Sequence, residues 1–223
     1  MEDPASLTSN RDSIADRLHR FAGATDEPVD RLDMIEKVPV SPTDRRPRDP
    51  QRAARIVAAA RELSRERGVG AITHRAVADR AGVPLGSTTY YFATIEDLLA
   101  QAIRLDITEF RERCDAVLAR TAGQEPVTRI LAIIRREHAD PVDLGAGYDL
   151  YLTALARPAL RPMAIAWGDA LLQVLATFLT KDQAVAVAMF LEGHGIRATL
   201  LGQSVMPTDP GVLERQLAGL IAG

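Results

Sequence analysis

The residues best equipped for chemistry stand in one short run, Leu85-Gly86-Ser87-Thr88-Thr89-Tyr90, which is small or hydroxylic and uncharged. Hydroxyls donate to phosphate oxygens or base edges, Gly86 lets a backbone approach closely, and threonine methyls suit the thymine methyl in a major groove. The run lacks the apolar side chains of a buried core helix, so it is expected to lie against something polar; an exposed Ser/Thr turn is the plainer alternative. The stretch from 45 to 80 that leads up to it holds ten arginines, no lysine and four acids. Guanidinium groups suit bidentate phosphate contact. The chemistry on offer is nucleic-acid binding.

Catalytic chemistry finds no comparable set. His19, His74, His138 and His194 are far apart, and neither Glu137-His138 nor Glu192-x-His194 has the i, i+4 histidine spacing of a helical zinc site. With no phosphate-binding glycine loop and no nucleophile motif, the chain is expected to be no enzyme and to need no cofactor or metal. The single cysteine, Cys114, reads as a small hydrophobe more readily than as an oxidant sensor. A different chemistry is suggested by Phe110, Cys114, His138, Tyr148, Tyr151, Met163 and Trp167, large or polar side chains that are candidates for a ligand pocket. Aromatics make up only 4% of the chain, so the gathering of Tyr148, Tyr151 and Trp167 points to a partly aromatic cavity for a small, largely apolar effector. Core packing explains any one of them equally well.

The elements that must position these groups are helices. From Arg52 onward the apolar spacing has a period of 3.6, and no alternating β-branched run is long enough for a strand, so the fold class is all-α with about nine helices. Breakers divide it at Gly68 and Gly70, Gly82-Val83-Pro84, Thr121-Ala122-Gly123, Asp140-Pro141, Pro158 and Pro162, and Pro207 to Gly211. Ile56, Ala60 and Leu63 make the stripe of a first helix that ends at Gly68 behind two cations, Arg65 and Arg67. Thr73 is a good N-cap for a second, short helix with Val77, Ala78 and Ala81 on its apolar face, and Gly82 supplies the left-handed residue of the turn. Pro84 suits N1 of a third helix, Leu85 to Tyr91. Two short helices joined by a glycine-containing turn form a helix-turn-helix.

The run from Ile56 through RELSRERGVGAITHRAVADRAGVPLGSTTYYFATIEDLLAQAI resembles the N-terminal DNA-binding domain of TetR-type transcriptional regulators over about fifty residues without gaps, including the Thr73 cap, the Ala-Gly-Val turn, Tyr90-Tyr91-Phe92 and Leu98-Leu99. The resemblance implies that Leu85 to Tyr91 is the recognition helix, that Thr73, Arg75 and Tyr90 touch phosphates, and that the fourth helix links the DNA reader to a ligand sensor. Two positions depart from it. Thr89 and Ile95 stand where members commonly carry Tyr and Lys, side chains that reach the DNA backbone. The expected phosphate contacts therefore shift to Tyr90, Arg52 and Arg55, and to Arg45, Arg46 and Arg48.

After Thr94, which with Asp97 approximates a capping box, a long helix carries Leu98, Leu99, Ala102, Ile103, Phe110, Val117 and Leu118 to about Arg120. Near the C-terminus two helices, about 182 to 203 and 212 to 221, have more apolar content than one narrow stripe needs. They suit an intersubunit four-helix bundle, as the resemblance implies, with Val185, Met189, Gly193, Ile196, Leu200, Leu213 and Leu217 at the dimer interface; burial within one subunit is the alternative. The expected domains are a flexible extension over 1-50, a helix-turn-helix domain over 51-97, and a ligand-binding and dimerisation domain over 98-223. Met34 is an alternative start.

Overall composition conceals this division. Across 223 residues the net charge is -3, which alone argues against a basic coat for nucleic acid. Segment by segment it is -5 over 1-44, +6 over 45-80 and -4 over 81-223. The acidic average hides a basic head. A hydrophobic content of 47% is globular, the N-terminus lacks the layout of a secretion signal, and the stretch from Ala164 to Leu179 is too short and too interrupted to span a bilayer, so a cytoplasmic protein without membrane attachment is expected.

Together with these features, the resemblance implies a homodimeric, sequence-specific regulator, a repressor released by a small effector, acting on a pseudo-palindromic double-stranded operator. The alternative is a DNA-organising protein with no ligand switch; an all-α enzyme is weaker, for want of an acid/base pair. Replacing Arg45, Arg46 and Arg48 by alanine is expected to lower affinity for all DNA sequences alike and to reduce the salt dependence by roughly one logarithmic unit of slope for each phosphate no longer neutralised. An unchanged slope in a salt titration would remove the arm from the mechanism. Light scattering at micromolar concentration should give twice the chain mass, and a monomeric mass would overturn the dimer.

Overall fold

The computed structural model describes residues 50–137, 141–201 and 210–222. The described residues form nine α-helices and two 3-10 turns, with no strand. In chain order these are α1 (Pro50–Arg67), the turn Val69–Ala71, α2 (His74–Ala81), α3 (Leu85–Tyr91), α4 (Ile95–Arg120), α5 (Pro126–Glu137), α6 (Pro141–Ala156), the turn Pro158–Leu160, α7 (Arg161–Ala176), α8 (Lys181–Leu200) and α9 (Pro210–Ala222). Among them no helix is long and apolar enough to cross a membrane. Arg45, Arg46, Arg48, His138 and the alternative start at Met34 lie outside the described residues.

The head is assembled by short-range rules. Gly68 ends α1 at φ 80, a conformation that side chains disfavour. The Thr73 hydroxyl oxygen accepts the Ala76 N–H at 3.2 Å, supplying one of the partners a helix N-terminus lacks, and Gly82 closes α2 at φ 63. Pro84 takes the N-cap of α3, one residue before the N1 place that its ring suggested, because it adopts ψ 143 while its carbonyl accepts the Ser87 N–H. Thr94 and Asp97 complete a capping box at the start of α4. The expected boundary between residues 97 and 98 thus falls inside the first turn of an unbroken 26-residue helix.

One apolar core runs from the head into the rest of the chain. Ile56, Ala60 and Leu63 of α1 and Val77 of α2 join Leu98, Leu99, Ile103, Ile107 and Phe110 of α4, and continue to Leu150 of α6 and to Met163 and Val174 of α7. A second cluster gathers Ile130, Leu131 and Ile134 of α5 with Leu175, Val187, Leu213 and Leu217. It corrects the expected interface: Leu213 and Leu217 are fully buried inside the protomer, because the i, i+4 stripe of α9 meets α5 and α8. Val185, Met189, Gly193 and Leu200 remain exposed and Ile196 half-buried along one side of α8.

Helix α8 approaches α6 closely where Gly195 faces Tyr148. A Cβ on Gly195 would overlap the hydroxyl end of Tyr148, so the glycine is the space the tyrosine occupies. Gly195→Ala is accordingly expected to destabilise the fold by about 1–3 kcal/mol through overpacking, a fall of roughly 2–10 °C in melting temperature. A thermal melt that matched the parent would show that Tyr148 turns aside at no cost.

Candidate nucleic-acid interface and ligand cavity

The side chains of helix α3 divide by facing. Leu85, Gly86 and Thr89 are exposed, while Ser87 and Tyr90 are half-buried. Thr88 corrects the sequence expectation. It is 0% exposed and its hydroxyl donates to the Leu85 carbonyl at 2.8 Å, so the residue plugs the corner of the helix-turn-helix and offers nothing to DNA. In a helix of seven residues one position must face inward, and the one falling a turn after Leu85 does. Thr89 also bonds within α3, to the Gly86 carbonyl at 3.3 Å, yet stays exposed. Tyr90 packs edge-on against Tyr91 at 5.2 Å between centroids, which stiffens the end of the helix.

Arginines frame this surface. Arg52 and Arg55 on α1 and Arg75 on α2 are exposed, and Arg67, Thr73 and Arg75 border a shallow cleft between α1 and α2. Arg80, in the same cleft, is committed inside the head instead: its guanidinium bonds Glu66 at 2.6 and 2.8 Å and Glu62 at 3.3 Å, clamping α2 to α1. The positive face of the head is therefore carried by the arginines that remain outward.

A cavity of about 190 Å³ lies where α1, α4, α5, α6, α7 and α8 meet. Phe110, Tyr148, Tyr151 and Trp167 line it, with the Phe110 and Trp167 rings 5.7 Å apart. Two other candidates do not. Cys114 and Met163 are buried among apolar side chains outside the lining, as their positions on the core-facing stripes of α4 and α7 dictate. Burial pushes the Cys114 thiol up to about 12, so it stays protonated and unreactive at neutral pH.

The lining also contains charges that the sequence pattern does not single out: Arg61 and Arg65 of α1, Asp106 and Arg113 of α4, Glu137 of α5 and Glu192 of α8. A signal for them existed. Asp106, Phe110 and Arg113 share the i, i+4, i+7 face of α4 with buried positions, so those charges interrupt an inward stripe rather than decorate a solvated one. Most are paired. Arg61 bonds Asp106 at 2.8 Å and Glu109 at 2.5 and 2.9 Å, and Arg113 bonds Glu137 at 2.6 and 2.9 Å. The hydrogen bond from Arg61 holds the Glu109 carboxyl below the usual range, whereas burial raises Asp106 despite the same arginine.

Glu192 is different. Among the described residues it has no cationic partner; its Oε1 accepts the Tyr151 hydroxyl at 3.0 Å and nothing else. Burial raises its carboxyl, against the stabilising Tyr151 bond, and Asp169 nearby adds to the rise. The same burial pushes the Tyr148 phenol up to about 12 and raises Tyr151 further, so both tyrosines are neutral donors. Across from α8 the bare face of Gly168 lets Glu192 and the Tyr151 hydroxyl close in, each 3.0 Å from where a Cβ would stand. The result is one unneutralised carboxylate at the edge of an aromatic wall.

Comparison with known proteins fits this division of labour. Residues 56–102 match the family described as bacterial regulatory proteins, tetR family, and residues 122–223 match the tetracyclin repressor-like C-terminal domain. Among solved structures, the multidrug binding protein EbrR complexed with imidazole is 33% identical, with a TM-score of 0.65 over 78% of this chain and 96% of its own. A TetR family member from Streptomyces coelicolor A3, SCO1917, is 32% identical with a TM-score of 0.62 over 77% and 99%. The transcriptional regulator SCO7518 from Streptomyces coelicolor A3(2) is 26% identical with a TM-score of 0.68 over 78% and 100%. No curated protein sequence matches the chain. With both its head and its C-terminal part accounted for, the chain belongs to the TetR family of bacterial transcriptional regulators.

Proposed function

We propose that this regulator is a repressor whose effector is a flat aromatic cation bound in the cavity against Tyr148, Tyr151 and Trp167, with Glu192 as its counter-charge. The observation that carries the reading is the Glu192 carboxylate: among the described residues every other acid lining the cavity has an arginine beside it, and a buried charge without an opposite charge is costly. A ligand cation would supply the partner, and aromatic faces add attraction to it. EbrR, crystallised with proflavin, ethidium and malachite green, supports the class, since each of these is an aromatic cation. The small, largely apolar effector expected from the aromatic residues alone is narrowed accordingly.

On the DNA side the reading is a homodimer joined through the exposed apolar stripe Val185, Met189, Gly193, Ile196 and Leu200, which places two α3 helices in successive major grooves. Half-sites then lie about 34–36 Å apart, or a multiple of that. Leu85, Gly86, Ser87 and Thr89 face base edges; Arg52, Arg55, Thr73, Arg75 and Tyr90 hold the backbone. Release requires the effector to favour a head arrangement that no longer matches this spacing, and a differential affinity of about 1–3 kcal/mol gives roughly 5- to 150-fold relief.

Selection of bound duplexes from a random pool should return an inverted repeat, and sequence-indifferent recovery would sink the repressor reading. Malachite green should bind the purified protein, with Glu192→Gln weakening it by about tenfold or more, equivalent to about 1.4 kcal/mol. The sign of the pH dependence follows from the raised carboxyl: the charged form binds the cation, so affinity holds at high pH and falls as pH drops through that raised value. Glu192→Gln should abolish this slope. Equal dye affinity in parent and variant at neutral pH would remove Glu192 from the site.

A further inference from the structure

Helix α6, which forms part of the cavity wall, is joined to the end of α1 in the DNA-reading head by a hydrogen bond. Asp149, on α6, reaches across to the end of α1, where its Oδ2 accepts the Val69 N–H at 2.5 Å. The carboxylate seats on the bare face of Gly68: a Cβ there would stand 2.8 Å from Oδ2 and 3.0 Å from Cγ. One turn further along α6, the Thr153 side chain lies 3.9 Å from where a Cβ on Gly70 would be. The short Gly68-Val69-Gly70 connection is therefore a socket shaped for α6.

Both sides of that bond line the cavity. Val69, whose N–H donates, is a lining residue, and so are Tyr148 and Leu150, the residues on either side of the acceptor. An occupant of the cavity would therefore border the donor residue Val69 and both neighbours of the acceptor, Tyr148 and Leu150. Tyr148 has little room to yield, because its ring fills the space left by Gly195 of α8. The helix that bears Asp149 thus packs against both α8 and α1, with the socket on its α1 side.

We propose that Asp149 is a positioning residue that couples cavity occupancy to the DNA-reading head: with the cavity empty its bond to Val69 holds the end of α1 in the DNA-competent position, and occupancy opens it. This step goes beyond the effector reading and does not depend on the effector being a cation. It assigns the transmission to the junction of α6 with α1, a route additional to the long helix α4. The bond is suited to switching. Among the described residues the Asp149 carboxylate accepts one backbone N–H and is itself only half-buried, so water can replace the Val69 N–H as its partner.

The test uses the full chain, an operator duplex selected with the parent protein, and malachite green as the probe. Without dye, Asp149→Ala should weaken operator binding by roughly tenfold, within the usual range of coupling, while keeping the parent's thermal melt and weak binding to non-operator DNA. It should still bind malachite green within about twofold of the parent, yet show less than about twofold further loss of operator affinity when dye is added. Asp149→Asn retains an acceptor oxygen and should recover most of the operator affinity and of the dye response. Parent-like operator affinity in Asp149→Ala overturns the proposal, as does an Asn variant no better than Ala. The Glu192→Gln variant, tested beside these, reports any effect of the dye on DNA alone. A parent protein that ignores malachite green would count against the aromatic-cation effector, whereas the dye-free comparison of the Ala and Asn variants would still decide the role of Asp149.

Discussion

The contact on which most of the structure depends is that of Arg61 with α4. Its side chain is 15% exposed and bridges Asp106 and Glu109, so the first helix of the head is tied along the long helix rather than hung from its tip. Asp106 is buried enough that its carboxyl is raised even with two arginines near it. Removing one partner of such a pair leaves an uncompensated charge in a poor solvent. The same arrangement gives the cavity its unusual wall, because Arg61, Ser64, Arg65 and Val69 all belong to the head. A ligand in this cavity touches the DNA-binding unit directly.

Helix α6 is placed by the absence of side chains on its neighbours. Tyr148 occupies the space of a missing Cβ at Gly195, and Asp149 and Thr153 sit over Gly68 and Gly70. Close-packed interfaces of this kind do not deform smoothly; they hold one arrangement until they move to another. A second tie, Arg157 to Glu96 at 2.6 Å, joins the end of α6 to the first turn of α4, next to the capping box. The helix that forms the aromatic side of the cavity is therefore anchored to both helices that carry the head.

Much of the head is legible in the sequence because its determinants act within a few residues of one another. Thr73 with Ala76, Gly82, and Thr94 with Asp97 are local devices, and each appears in the structure where its residue type pointed. Thr88 reads as outward and faces inward, because a hydroxylic helix of seven residues contains no apolar contrast to reveal which position turns to the core. The pocket is half legible. Phe110, Tyr148, Tyr151 and Trp167 stand together, and Asp106 and Arg113 interrupt an inward stripe, but Arg61 and Glu192 carry no such signal, since charged residues on amphipathic helices look solvated until a partner helix covers them.

By itself, then, the sequence determined the all-helical class, the helix-turn-helix, the basic head and the aromatic character of the cavity, since caps, breakers, periodicity and composition are properties of nearby residues. The tertiary structure decided which apolar stripe of α9 is interior, so that Leu213 and Leu217 face α5 and α8 while Met189 and Leu200 stay outside. It also decided that Asp149 meets Val69 and that, among the described residues, Glu192 is left without a cation. The physical reason is common to all three. A helix with apolar residues on two sides satisfies its local rules in either orientation, and only the close packing of segments some 40 to 80 residues apart selects one and brings their polar groups together.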